Sequence, residues 1–306
     1  MLKFAGWLLS VYLLLGVLMT QNAFAKKIEV QGHRGCRALR PENTLPAFQH
    51  AVELGVDVLE MDIAVTKDNQ LVISHDPFIT PERCLYEDGK ALLDKIAIHT
   101  LTLAEVKKFD CGSLKHPKFP DQVTIPHTPI PTLDEMFDMV NGLKDPNGKK
   151  VRFNIETKIF VERPELTPSP TEFAEMLVKK IEKHGMLARS IIQSFDFRTL
   201  VATKKANPKT KTAMLTEGGN YPYTVIAKKF GFTYISPEYT WINEEAVNDL
   251  HAHGVEVIPW TVNDPKDWER MIQIGVDGII SDNPEALIKF LQAKGLRPKG
   301  GGLEGK

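Results

Sequence analysis

Along this chain, short aliphatic runs take turns with longer stretches whose apolar positions recur every three or four residues. Residues 28–31 read as a strand running into Gly32-His33-Arg34-Gly35, where two glycines permit a sharp turn and two polar side chains must project. Asn43 or Thr44 then caps a helix with Leu45, Phe48, Val52 and Leu54 on its apolar face, ended by Gly55. Residues 56–65 form the second strand. Its period of two puts Glu60 and Asp62 on one face and Leu59, Met61 and Ile63 on the other. Two carboxylates so placed repel, so positive charge is expected between them. A turn at 66–70 leads to a return strand, 71–74, that delivers His75-Asp76.

From Pro77 to about Pro129 this rhythm fails. The segment is rich in proline, holds Cys84 and Cys111, and has one clear helix start, the capping box Thr102-Leu103-Ala104-Glu105. It reads as a lobe inserted over the active face. Regular alternation then resumes with a second capping box, Thr132-Leu133-Asp134-Glu135, and a helix through Val140. Strands follow at 151–158, 190–193, 212–215, 233–236, 256–260 and 278–280. Helices start at Ser169-Pro170, Asp196, Tyr223, Asn243, Asp264-Pro265 and Asn283-Pro284. That makes eight strands, each followed by a helix, which is the repeat of a (β/α)8 TIM barrel. A doubly wound sheet needs no eighth strand, and the chain has no glycine-rich dinucleotide loop. The expectation is an α/β chain: a barrel over 26–294 with an inserted subdomain at 77–129, after the second strand unit. The remainder, 295–306 with Gly300-Gly301-Gly302, is expected to be a disordered tail.

Residues 1–25 change the picture at the other end. Lys3, the apolar run from Gly6 to Met19 and the small-x-small site Ala23-Phe24-Ala25 have the layout of a secretory signal peptide. The run is short for an uncleaved membrane anchor. The expectation is an exported protein, periplasmic or secreted, with no stable membrane anchor after cleavage. Three cysteines then meet an oxidising compartment. Cys84 and Cys111 share the lobe and are the favoured pair, with Cys36, beside the His33 turn, an alternative partner.

Composition adds only exclusions. At 306 residues, 42% hydrophobic and 25% charged, the chain has ample material for a core. A net charge of −1 leaves no basic face for nucleic acid, and the lysine pairs at 179, 204 and 228 fall on or beside predicted helices.

In such a barrel, catalytic groups collect at the C-terminal strand ends. His33 follows strand one, Glu60 and Asp62 end strand two, and Glu156 and Lys158 end strand three. Gln193 ends strand four and Trp260 strand seven, so all face one mouth. Glu60, Asp62 and Glu156 are three hard oxygen ligands without a thiolate, which suits Ca²⁺ or Mg²⁺ better than zinc. Asp62 could instead orient Lys158. His33 and His75 are a candidate acid/base pair, while Asp76 is read as stabilising its turn and the other histidines as surface groups. Arg34 and Lys158 provide charge for an anionic substrate. Trp260 and Phe195 are candidate walls for its carbons, core packing being the alternative.

His33-Arg34-Gly35, Pro41-Glu42-Asn43-Thr44, Glu60-x-Asp62, His75-Asp76, Glu156-x-Lys158, Gly275-Val276-Asp277-Gly278 and Ser281-Asp282-Asn283-Pro284, in this order, resemble the glycerophosphodiester phosphodiesterases. The resemblance covers nearly the whole chain after residue 25, extends to the inserted subdomain, and is greatest to the periplasmic type. It implies hydrolysis of small glycerophosphodiesters, such as glycerophosphocholine, to sn-glycerol 3-phosphate and an alcohol. It also implies His33 and His75 as the acid/base pair, and Glu60, Asp62 and Glu156 as ligands of Ca²⁺, with Mg²⁺ the alternative. Arg34 and Lys158 carry over as phosphate contacts; the resemblance assigns no role to Cys36. The runner-up is a phospholipase, a lysophospholipase D or sphingomyelinase D-like enzyme on the same barrel and metal site. That needs an apolar funnel, and the lobe has modest apolar content such as Leu92, Leu93 and Ile96. A non-catalytic binding barrel is a third reading, disfavoured because binding alone needs no pair of proton-transfer histidines.

Overall fold

The computed structural model describes residues 27–143 and 151–298, so residues 1–25 and the tail beyond 298 lie outside the described residues. Strands are β1 (Glu29–Gly32), β2 (Val58–Val65), β3 (Leu71–Ile73), β4 (Phe78–Ile79), β5 (Leu85–Tyr86), β6 (Ile96–Ala97) and β7 (Phe109–Asp110). After the lobe come β8 (Arg152–Thr157), β9 (Ser190–Ser194), β10 (Lys211–Thr216), β11 (Tyr234–Pro237), β12 (Glu256–Val257) and β13 (Gly278–Ser281). Helices are α1 (Leu45–Leu54), α2 (Leu103–Val106), α3 (Leu133–Gly142), α4 (Pro170–Lys183) and α5 (Phe197–Ala206). They continue with α6 (Tyr223–Phe230), α7 (Glu244–Ala252), α8 (Pro265–Gln273) and α9 (Pro284–Ala293).

Eight parallel strands pair in the order β12-β11-β10-β9-β8-β2-β1-β13, and β3 adds antiparallel to β2. Backbone bonds from Asp277 N to Val257 O (2.9 Å), Val262 N to Ile280 O (2.9 Å) and Ile280 N to Pro259 O (3.1 Å) join the two ends of that order. The result is the expected (β/α)8 barrel. Alternation along β2 and β8 sends Leu59, Met61, Ile63, Phe153 and Ile155 outward, into the main core beneath the helices. Those helices begin where capping chemistry says they should. Thr44 caps α1 by accepting from Ala47 N, and the boxes at Thr102/Glu105, Thr132/Glu135 and Ser169/Glu172 are all closed.

The lobe leaves the barrel after His75 and returns at α3. It holds two small antiparallel sheets, β4–β6 and β5–β7, and the Cys84–Cys111 disulfide closes one end of the second. Its own apolar cluster, including Ile79, Leu92, Ile98, Val106 and Phe109, packs on Ala64 and Val72 of the barrel. Asp110 organises its far end. The buried carboxylate accepts from Gly112 N (2.9 Å), Thr128 N (3.1 Å), His127 N (2.9 Å) and Ser113 Oγ (2.5 Å). Burial opposes its charge, but these donors outweigh burial and hold its pKa below the usual value. Asp110→Ala strands several donors at once and is expected to cost about 3 kcal/mol. Hydrogen exchange should show faster opening over 77–129. Because the folded-state pKa is depressed, the contribution of Asp110 is present above its unfolded pKa and is lost as pH falls through the folded one. Lobe exchange should therefore accelerate in acid in the parent protein, and an acid dependence identical in Asp110→Ala would remove this role.

One expectation changes, at the C-terminal end, and the favoured cysteine pair leaves Cys36 unbonded. Residues 295–298 are not a loose tail: Leu296 packs against the main core, and Arg297 Nη1 donates to Asp57 Oδ2 at 2.6 Å. An apolar side chain and a cation, each with a waiting partner, outweigh the turn-forming composition there. Cys36 is fully buried and free, its Sγ donating to Ala47 O at 3.3 Å, and burial pushes its thiol up to about 12. It is a packing residue of the first turn.

Candidate active site

A layer of buried amides lies under the mouth. Asn154 Nδ2 donates to both Gln31 Oε1 and Gln193 Oε1 (2.9 Å each), and Gln193 Nε2 donates to Glu60 Oε1 at 2.8 Å. Above it stand the acids. Parallel register sets Asp62 opposite Glu156, and Glu60 opposite Asn154, on adjacent strands β2 and β8. One oxygen from each of Glu60, Asp62 and Glu156 lies within 4.8 Å of the others, and all three side chains are buried.

The expected positive charge is present. Lys158 Nζ sits 2.7 Å from Glu156 Oε1 and 3.6 Å from Asp62 Oδ1. Arg34 Nε is 3.4 Å from Asp62 Oδ2, which also accepts from Asn43 Nδ2 at 2.9 Å. Burial works against ionising Asp62, but His75, Arg34, Lys158 and Asn43 together hold its pKa well below the carboxylate range. Glu60 goes the other way: burial and then the charges of Asp62 and Glu156 push it well up. Burial likewise raises Glu156 despite Lys158. Asp62 Oδ1 is buried with no hydrogen-bond partner. Hard oxygen donors, one of them unpartnered, with two acids held back from ionising by burial and by their acidic neighbours, fit a hard divalent cation.

Both candidate histidines have supported rings. His33 Nδ1 donates to Asp282 Oδ1 at 2.5 Å, and its Nε2 faces Glu60 Oε2 at 4.0 Å. Burial lowers its pKa, with Asp282 only partly restoring it. His75 Nδ1 pairs with Asp76 Oδ1 at 2.9 Å. The turn carrying His33 is built for close approach. A Cβ on Gly32 would lie 2.0 Å from Gly35 O, Gly35 has φ +85°, and Arg34 itself takes φ 49°. That conformation directs Arg34 N onto Glu60 Oε2 at 2.8 Å.

Residues 33–286 match the model of the glycerophosphoryl diester phosphodiesterase family. The chain is 35% identical over 269 residues to a glycerophosphodiester phosphodiesterase of Caldanaerobacter subterraneus, covering 88% of this chain and all of that one. This chain belongs to the glycerophosphoryl diester phosphodiesterase family. The crystal structure of a Silicibacter pomeroyi protein assigned to glycerophosphoryl diester phosphodiesterase activity superposes with a TM-score of 0.82 at 26% identity, over 88% of this chain and 95% of that one. The glycerophosphodiester phosphodiesterase from Thermotoga maritima matches at 0.62 and 27% identity, over 86% and 97%. Fold and enzyme class therefore agree: the chain is a phosphodiesterase on a TIM barrel.

Within this glycerophosphodiester phosphodiesterase, several residues act differently from the expectation. Gln193, expected to face the mouth from the end of strand four, is buried with its amide engaged by Glu60 and Asn154, an arrangement that orients a candidate ligand. Asn43, with φ 57°, leaves the helix cap to Thr44 and holds Asp62. Asp76 supports the His75 ring and meets Arg83 of the lobe. Trp260 donates Nε1 to Ser236 O at 2.9 Å and stands edge-on to Phe195, with ring centroids 5.4 Å apart, so the two expected wall residues form one surface. Not every other histidine is a surface group. His184 bonds Asp134, His251 bonds Asp277, and half-buried His116 lies against Phe119.

Asp282, Glu42 and Arg83 are the functional neighbours that sequence reasoning missed. Two of them stood inside quoted motifs, Ser281-Asp282-Asn283-Pro284 and Pro41-Glu42-Asn43-Thr44, which was the available signal. Arg83 carried none.

Proposed function

We propose that this phosphodiesterase hydrolyses small glycerophosphodiesters to sn-glycerol 3-phosphate and an alcohol, with a divalent ion at Glu60, Asp62 and Glu156. The observation that carries the reading is the convergence of these three buried acids with His33, Arg34 and Lys158 at one barrel mouth. The donor set favours Ca²⁺, with Mg²⁺ the alternative. When bound, such an ion supplies positive charge against the nonbridging oxygens of the diester.

The protein's own groups do the rest. Arg34 and Lys158 draw the anionic phosphate to the mouth. His33, kept toward neutral imidazole by burial, has Nδ1 occupied by Asp282 and presents Nε2 as the proton acceptor for the attacking hydroxyl. His75, oriented by Asp76, donates the proton to the departing alkoxide. Trp260 and Phe195 wall the carbon side of the substrate.

Export to a periplasmic or extracellular space belongs to the same proposal. It rests on the signal-like residues 1–25 and on a lobe closed by a disulfide. No helix among the described residues is long and apolar enough to cross a membrane.

A second reading has one observation in its favour. Val161, Phe195, Tyr221 and Trp241 are exposed on loops following β8, β9, β10 and β11, a rim that suits a substrate with an acyl chain. One coupled assay separates the two. Residues 26–306 with Ca²⁺ or Mg²⁺ are expected to release glycerol 3-phosphate from glycerophosphocholine and glycerophosphoethanolamine. Choline release from lysophosphatidylcholine at a higher kcat/KM would favour the second reading, and no product from any diester would refute both.

A further inference from the structure

The lobe does more than overhang the mouth; it grips the residues that hold the catalytic groups. Gln122 Nε2 donates to Arg37 O (2.7 Å) and Arg40 O (3.1 Å), and Val123 N donates to Leu39 O (3.0 Å), so the turn after β1 is fastened to the lobe. Arg83 makes the most direct link. Its Nη1 donates to Glu42 Oε1 at 2.6 Å, and its Nη2 pairs with Asp76 Oδ2. Glu42 Oε1 also accepts from Arg34 Nη1 at 2.9 Å, while Asp76 Oδ1 holds His75 Nδ1 at 2.9 Å. One guanidinium thus joins the carboxylate behind Arg34 to the carboxylate behind His75. Its geometry is a fork that an ammonium cannot reproduce.

Glu42 is poorly suited to stand there alone. Burial opposes its charge, and Arg34, Arg37 and Arg83, with His75, keep it ionised, far below the usual range. Arg83 is itself followed by Cys84, whose bond to Cys111 ties its segment to the strand leading toward Gln122. The two grips on the mouth are therefore one cross-linked unit.

We propose that Arg83 is a positioning residue for the reaction: through Asp76 and Glu42 it sets His75 and Arg34, and the Cys84–Cys111 bond holds it in place. The inference rests on the acid/base role proposed for His75. It implies that activity depends on the lobe disulfide, and hence on an oxidising environment.

Kinetics on glycerophosphocholine with Ca²⁺ test this in four variants. R83M is expected to lower kcat about 10- to 100-fold, the usual scale for a residue that orients a catalytic group. KM should stay within about threefold, and the fold should stay intact while the melting temperature falls modestly, because Glu42 and Asp76 each lose a charged partner. R83K should recover part of the loss by reaching one carboxylate. Replacing both cysteines (C84S/C111S) should lower kcat roughly fivefold in the parent yet add nothing in the R83M background, as coupled sites do. Parental kcat in R83M overturns the proposal. An equal cysteine penalty in both backgrounds removes the disulfide from it. Nitrogen-15 spectra of the His75 ring supply a readout without turnover. R83M should shift His75 and leave His33 in place, whereas an unchanged His75 ring overturns the proposal even if the parent hydrolyses no diester.

Discussion

His33→Ala is expected to lower kcat on glycerophosphocholine by about 10²–10⁴-fold, the range for removing a positioned acid/base group. KM should barely move, and a far-UV spectrum like the parent's should show the fold intact although Asp282 loses its partner. The pH profile carries the sharper prediction. Activity needs the imidazole neutral, so the rate should fall on the acid side with a midpoint below 6.5, because burial depresses the His33 pKa. Asp282 works against that depression, so Asp282→Asn should move the acid limb further down and cost about 10- to 100-fold in kcat. An acid limb unmoved in Asp282→Asn would detach it from His33, and near-parental kcat in His33→Ala would remove that histidine from the reaction.

Chelation is expected to abolish turnover, with recovery when Ca²⁺ or Mg²⁺ returns. Three buried acids within 4.8 Å have Lys158 and Arg34 beside them, yet burial and mutual repulsion still push Glu60 and Glu156 above the usual glutamate value. The sign of the pH effect follows. A carboxyl whose folded pKa is raised favours the folded state while protonated, and that contribution is lost as pH rises from about 4.5 through the folded pKa. Chelated protein should lose stability over that rise, and Ca²⁺ should restore more of it at pH 8 than at pH 5. Binding must release protons from Glu60 and Glu156, so apparent affinity should climb with pH. Asp62, whose pKa is depressed, works oppositely: its contribution is present above its unfolded pKa and is lost only in strong acid. Calorimetry in buffers of different ionisation enthalpy reads the proton release directly. Full turnover after chelation would sink the metal role, and calcium affinity independent of pH would sink the account of the two glutamates.

Much of the architecture could be read from local pattern because its causes are local. The caps at Thr44, Thr132 and Ser169 and the alternation around Glu60-Met61-Asp62 depend on residues within a few positions of each other. Eight such units leave few ways to bury their apolar faces, and a barrel is one of them. The site was legible to the extent that strand ends in a barrel share one mouth. Its support was not. Asp282 lies 249 residues from His33, Gln193 lies 133 from Glu60, and Arg297 lies 240 from Asp57. No periodicity links such pairs, and a lone arginine in a proline-rich lobe looks like any solvated charge.

The amino-acid sequence by itself determined the strand and helix units, the interruption after His75, and which acids share one face of a strand; Glu60 and Asp62 lie inside β2 rather than at its end. Only the tertiary structure decided how those groups behave. Closing the barrel brings β8 beside β2 and so sets Asp62 across from Glu156. Folding the lobe back brings Arg83 between Glu42 and Asp76. The physical reason is the range of the interactions. Propensity and alternation act over a turn or a strand, whereas burial and charge pairing depend on neighbours that only the folded chain supplies.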